Sequence, residues 1–183
     1  MQSSALAFLV VITCHSSAAS TKATVHYLGV GSNVDQSVME RRIGSKPLSA
    51  EPACAPDHRL AFTAIGTWPE PAFASVEPSP YAGQECHGVL YTLSLSQMAR
   101  LCVSEMVPAG YSLLPVRCET YAGERVGAFA LNANGPGRAL EAIAGPIRPS
   151  RRYLELIREG ARKSGLAPSW LDRLAKLQPA PGT

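Results

Sequence analysis

No apolar run in this sequence is long enough to cross a bilayer as a helix, so no membrane-spanning segment is expected. Charge of one sign is scarce too. Seventeen Lys and Arg against fourteen Asp and Glu leave a formal net charge of +3, spread along the chain. That is too little and too dispersed to argue for nucleic acid. Arg148, Arg151 and Arg152 do gather, but beside Glu155 and Glu159, as on a solvated helix face. The five cysteines, at positions 14, 54, 86, 102 and 118, lack any C-x-x-C spacing. Cys54 with His58 and Cys86 with His87 make a poor zinc set, because adjacent ligands are awkward in a tetrahedral site. No metal is expected, and buried or half-buried free thiols suit a reducing compartment. Internal repeats are lacking as well. At 183 residues the chain suits one domain with a real core.

The first residues stand apart. Ala5 to Ile12 is uninterrupted apolar sequence, and Ser17-Ala18-Ala19 resembles a small-residue cleavage site, yet no Lys or Arg precedes the run. A cleaved leader and a ragged extension both fit residues 1–22. The first reading implies a secretory or organellar protein, the second a cytoplasmic one. The folded domain is expected over 23–178, with 179–183 as a loose tail.

What is present is organised around Val25-His26-Tyr27-Leu28-Gly29-Val30-Gly31-Ser32-Asn33. The Val, Tyr and Leu read as a buried strand that stops at two glycines. Ser32 or Asn33 then suits the N-cap of a helix through Val38 and Met39. A strand, a glycine turn and a helix start together leave backbone amides open to an anion or oxyanion. A plain tight turn fits the same residues. Two familiar loops are excluded: Val34 stands where a dinucleotide fingerprint needs its third glycine, and the Lys of a P-loop is missing.

Between Ser45 and Pro80 the prolines accumulate, and irregular connection is expected there with one strand, Arg59 to Gly66. Val89 to Leu93 reads as a second buried strand. Ser94 or Ser96 then caps a helix with Met98, Leu101 and Cys102 at helical spacing, closed by Glu105. Tyr111–Tyr121 and Arg125–Asn132 read as two strands joined near Gly123. Pro149-Ser150 opens a helix whose apolar face is Tyr153, Leu154, Ile157 and Ala161, and Gly160-Ala161 permits close approach of another backbone. Pro168-Ser169 starts a last helix with a stripe of Trp170, Leu171, Leu174 and Leu177.

For chemistry, Ser32 is not in a nucleophile elbow, since Gly-x-Ser-x-Gly needs a glycine at 34. No histidine has a Ser or Cys partner in sequence. Among the carboxylates Glu105 is the odd one, placed after a nearly uncharged stretch at a helix C-terminus. It faces the negative pole of the helix dipole, a poor place for a charge and a suitable one for a proton shuttle. An exposed Glu at a frayed helix end is the plain alternative.

Four segments, in order, resemble the gamma-glutamylcyclotransferase family from about Val25 to Leu177. Tyr27 through Asn33 resembles its Tyr-x-x-Tyr-Gly-Ser-Asn turn. Gly88-Val89-Leu90-Tyr91 resembles the strand before its catalytic helix. Leu101 through Val107, then Tyr111, resembles Leu-Asp-x-x-Glu-Gly-Val followed by Tyr. Most specific is Pro149-Ser150 with Tyr153, Ile157, Gly160-Ala161 and Gly165-Leu166, which resembles the C-terminal helix. The resemblance implies an α+β fold, with a curved, mostly antiparallel, barrel-like sheet and flanking helices. It implies a cofactor-independent enzyme that cyclises a small γ-glutamyl substrate to 5-oxoproline. Glu105 would be the acid/base, and Tyr27, Val30, Gly31, Ser32, Asn33 and Tyr111 would bind the substrate. A non-catalytic binding module on the same fold is one alternative and a cyclotransferase for γ-glutamyl amines or glutathione another, and monomer and homodimer stay open. The chain departs from the pattern at four places. Val30 replaces a Tyr, Cys102 an Asp and Met106 a Gly, and Ala130 stands where a Tyr commonly precedes the leucine.

Overall fold

The computed structural model describes residues 23–183, so the leader-or-extension question lies outside the described residues. The chain enters through β1 (Thr24–Gly29), turns tightly through a 3-10 segment at Gly31–Val34, and forms α1 (Gln36–Ile43). Three strands follow: β2 (Ser49–Pro56), β3 (His58–Thr67) and β4 (Glu70–Pro78). Next come β5 (Glu85–Ser94), α2 (Leu95–Ser104), β6 (Tyr111–Thr120) and β7 (Arg125–Ala133). Three helices complete it: α3 (Gly137–Ala144), α4 (Arg151–Lys163) and α5 (Pro168–Lys176).

Five strands close a barrel in the order β1-β5-β2-β6-β7, and β3 with β4 forms a separate two-stranded hairpin. The pairings are antiparallel except the closing one, where Tyr27 of β1 lies parallel to Phe129 of β7. This is the α+β, mostly antiparallel, barrel-like class that the resemblance implies. Tyr27, Leu28, Tyr91, Leu93, Leu101 and Leu154 are wholly buried in the core. Burial on this scale supplies the main drive for closure, since each large apolar side chain removed from water is worth about 1.5–3 kcal/mol.

The proline-rich stretch from 45 to 80 is a correction: it holds three strands, not one. Tyr121 donates its N–H to the carbonyl of Pro52, so residues 52, 54 and 56 direct their backbone groups toward β6. The β2–β6 ladder has only two residue pairs, Ala53 with Thr120 and Cys54 with Glu119. Pro52 and Pro56 therefore stand where their missing N–H costs little. The cap of α1 is a second correction. Asp35, not Ser32 or Asn33, accepts from the N–H of Ser37 (2.9 Å) and Val38 (3.1 Å). Ser32 and Asn33 belong to the 3-10 turn, which leaves the Asn33 side chain free to face the interior.

Three caps agree with the sequence. Ser94 forms a capping box with Gln97 on α2, Ser150 accepts from Tyr153 N–H (3.0 Å) on α4, and Pro168 starts α5. Helix α3 was not expected. Its Leu140 and Ile143 face outward, and ion pairs Arg138–Glu77 (2.8 Å) and Arg59–Glu141 tie it to the β3–β4 hairpin. Residues 179–183, expected as a loose tail, fold back on α4: Ala180 donates to Pro149 (2.8 Å), and Arg151 N–H to the Thr183 hydroxyl (3.2 Å).

Candidate active site

The glycine turn is shaped by one residue. Gly31 has φ +59°, in the left-handed region, and a Cβ there would fall 2.6 Å from the Ala74 methyl and 2.7 Å from the Tyr153 hydroxyl. Only glycine fits both the conformation and the space. Behind the turn, a Cβ on Gly160 of α4 would lie 2.7 Å from the Val34 side chain. The close approach expected at Gly160-Ala161 is thus made to the turn itself. It brings Tyr153, on the same helix face, against Gly31.

Helix α2 ends at Glu105, whose N–H still bonds to Leu101 O (3.0 Å) before the chain leaves the helix. Packing of α1 on α2 sets the last turn of α1 beside it, where Arg100 also bonds to Ile43 O (3.1 Å). The result is a closed polar network around one carboxylate. Asn33 Nδ2 donates to Glu105 Oε1 (2.9 Å) and to the Tyr27 hydroxyl (2.8 Å). The Arg42 guanidinium donates to both Glu105 Oε1 and Asn33 Oδ1. Tyr91 holds the Asn33 carbonyl from behind (2.9 Å). Asn33 therefore has its amide and its carbonyl oxygen committed, which fixes its orientation. Glu105 is neither frayed nor exposed: it is 9 % accessible, and a guanidinium, not the helix dipole, is its nearest charge.

These groups border a cavity of about 190 Å³. Of the residues singled out in the sequence, Tyr27, Val30, Ser32, Asn33, Glu105 and Tyr111 line it, and Gly31 lies just behind under Tyr153. The turn offers fewer free amides than its sequence suggests, because Asn33 N–H is spent on Val30 O (3.1 Å). Burial pushes the Tyr27 hydroxyl well above its ordinary pKa, and the Glu105 charge adds to the effect against the Asn33 hydrogen bond. Tyr111 and Tyr153 are raised too, in each case chiefly by burial. All three stay protonated at neutral pH. Tyr111 spends its proton on Ala74 O (3.1 Å), while Ala74 N–H donates to Tyr153 (3.3 Å). Strand β4 is thereby clamped to the cavity, with Phe73 edge-on to Tyr153 (centroids 5.3 Å apart).

Sequence reasoning missed Arg42 and gave Tyr153 only a core role. A basic residue in the last turn of a helix reads as a complement to the dipole, and a tyrosine in an apolar stripe reads as core. Cys86 and Cys118 are free thiols inside the barrel, both pushed up to about 12 chiefly by burial. Among the described residues no group of three metal-ligating side chains gathers.

Neither a protein-family model nor a curated sequence matches the chain. Solved structures do match. One, a gamma-glutamyl cyclotransferase, aligns with TM-score 0.71 at 22 % identity, over 87 % of this chain and 91 % of the other. The chain has the fold of a gamma-glutamyl cyclotransferase. An uncharacterized protein from Homo sapiens aligns with TM-score 0.71 at 23 % identity, again over 87 % of this chain and 91 % of that one. YkqA from Bacillus subtilis aligns with TM-score 0.66 at 18 % identity, over 86 % of this chain and 56 % of YkqA.

Proposed function

We propose that the protein is a cofactor-independent cyclotransferase acting on γ-glutamyl compounds. The observation that carries this reading is a single carboxylate, Glu105, at a cavity bordered by the glycine turn and oriented by Asn33 and Arg42. Such a site suits a reaction whose nucleophile and electrophile belong to one molecule. Glu105 takes a proton from the substrate α-ammonium, and the freed amine attacks the γ-carbonyl carbon. A five-membered ring closes and the carbonyl oxygen becomes an oxyanion. Ser32 at the turn, with the Tyr27 and Tyr153 hydroxyls, lines the cavity and would stabilise it, Tyr111 being committed to Ala74 O. Glu105 then delivers its proton to the leaving nitrogen, the C–N bond breaks, and the ring nitrogen passes its remaining extra proton through the Glu105 carboxylate to the freed amine, so that 5-oxoproline and an ammonium depart. Holding the reacting ends together supplies much of the acceleration.

The test is Glu105→Gln, which keeps the size and the bond from Asn33 but removes the base. Loss of a general base costs on the order of a hundredfold to ten-thousandfold in rate. Release of 5-oxoproline from a γ-glutamyl dipeptide should fall by that much while the variant stays folded and still binds. A wild-type rate would sink the mechanism. One observation favours a second reading, a binding module without turnover: Glu105 Oε1 is already engaged by both Asn33 and Arg42. Calorimetric binding of the same dipeptide, with no 5-oxoproline formed, would support the module.

A further inference from the structure

Arg42 is engaged on one side only. Its Nη1 donates to Glu105 Oε1 and to Asn33 Oδ1, which uses both hydrogens of that nitrogen. Among the described residues Nε and Nη2 meet no acceptor. Together these two form the side-on edge of the guanidinium, a planar fork that matches a carboxylate. Glu105 shows the same asymmetry. Oε1 accepts from Asn33 and Arg42, and Oε2 has no partner among the described residues. No side-chain nitrogen or oxygen among them is both buried and unpaired. The free edge of Arg42 and the free oxygen of Glu105 are therefore open to solvent, and both residues line the cavity.

A γ-glutamyl compound brings a zwitterionic carbon to this place, with an ammonium and a carboxylate on the same atom. The ammonium belongs at Glu105, which removes its proton. The carboxylate then needs a donor close by, and several polar groups of the cavity are already committed. Asn33 spends its side-chain amide on Tyr27 and Glu105, and its backbone N–H on Val30 O (3.1 Å). Ser104 donates its hydroxyl to Leu101 O (2.9 Å), and Tyr111 donates to Ala74 O (3.1 Å). The hydroxyls of Ser32, Tyr27 and Tyr153 are neutral. Arg42 alone among the described lining residues offers a positive charge. An ion pair with one open cationic edge beside one open anionic oxygen is complementary to such a carbon. Bidentate, charge-assisted pairing is also stronger than a neutral hydroxyl provides.

We propose that Arg42 binds the α-carboxylate of the glutamyl half on its Nε–Nη2 edge, while Glu105 removes the α-ammonium proton through Oε2. The proposal rests on the cyclotransferase reading for its kinetics but not for its binding. The probes are γ-glutamylglycine and its analogue in which the glutamyl α-carboxylate is replaced by a carboxamide. Both are tested on the full chain, by 5-oxoproline release and by ligand-induced thermal shift. The wild-type protein should prefer the carboxylate by about tenfold to a hundredfold in kcat/KM, the scale of a hydrogen bond to a charged group. Arg42→Gln should abolish that preference. Arg42→Lys keeps the charge but loses the fork, so it should retain part of the preference, and it carries the comparison if the Gln variant does not fold. A residue that only held Glu105 and Asn33 in place would slow both substrates by one factor. An unchanged preference in either variant would therefore overturn the assignment. Equal turnover of both probes by the wild-type protein would overturn it too, and leave the cyclotransferase reading standing. If neither probe is turned over, but the carboxylate stabilises the wild type more and Arg42→Gln erases the difference, the assignment stands and the catalytic reading falls. Equal stabilisation by both without turnover, or by neither, would overturn both.

Discussion

At the scale of single residues, the site depends on two departures from ordinary backbone, and one of them carries a sharp prediction. Gly31 at φ +59° is tolerated because it has no side chain, and the space a Cβ would need is taken by Ala74 and Tyr153. Gly31→Ala should cost about 1–2 kcal/mol from the left-handed conformation alone, and more from displacing Tyr153. Chemical unfolding should register that loss, and 5-oxoproline release should collapse with it. Ser32→Ala keeps the backbone amide and should be much milder in both measurements. Equal damage would mean that the Ser32 hydroxyl, not the turn geometry, carries the effect. Met106 at φ +53° explains why a glycine stands at this position in the pattern the chain resembles.

At the scale of elements, α1 carries Arg42 to the carboxylate, so its N-cap matters to the site. Burial works to raise the Asp35 pKa, yet hydrogen bonds from the Ser37 hydroxyl and from the N–H groups of Val38 and Ser37 hold it below the ordinary value. A carboxylate with a lowered folded pKa contributes stability that is fully present above the unfolded value. The contribution is lost as pH falls through the folded value. Asp35→Ala should therefore cost about 1 kcal/mol at neutral pH. The gap between variant and wild type should close below about pH 4, where the unfolded carboxyl titrates. Urea unfolding of both proteins across that range checks it. A gap independent of pH would show that the side chain acts by packing and not by charge.

At the scale of the whole molecule, the β3–β4 hairpin lies outside the barrel yet supplies Phe73 and Ala74 to the cavity. Side chains hold it in place. Asn132 donates to Val76 O (2.7 Å), Ala133 N–H to the Ser75 hydroxyl (2.9 Å) and Tyr111 to Ala74 O (3.1 Å). Buried Glu77 accepts from Thr63 (2.7 Å) and Ser75 (2.8 Å) and pairs with Arg138. Glu77→Ala removes the shared acceptor, at about 1–3 kcal/mol for the groups left unpaired. Amide exchange should then accelerate in β3 and β4 while β1 and β5 keep their protection. Uniform acceleration across all strands would show that hairpin and barrel open as one unit.

By itself the sequence determined the local pieces. The strand at Val25–Leu28, the glycine turn, the caps at Ser94 and Ser150, and the close approach at Gly160 are written in short-range chemistry. Alternation, turn residues and hydroxyl caps act within a few positions. The family resemblance that four segments carry implied the barrel class, and the place of Glu105 at a helix end marked it as the carboxylate to watch. Only the tertiary structure decided what surrounds that carboxylate. Arg42 lies 63 positions away from it and Asn33 lies 72, and Tyr153 reaches the turn from a helix in the last third of the chain. The strands of the proline-rich stretch were hidden for a related reason. Proline is unfavourable in a strand only where a neighbouring strand needs its N–H, and which positions of β2 face such a neighbour is settled when the barrel closes.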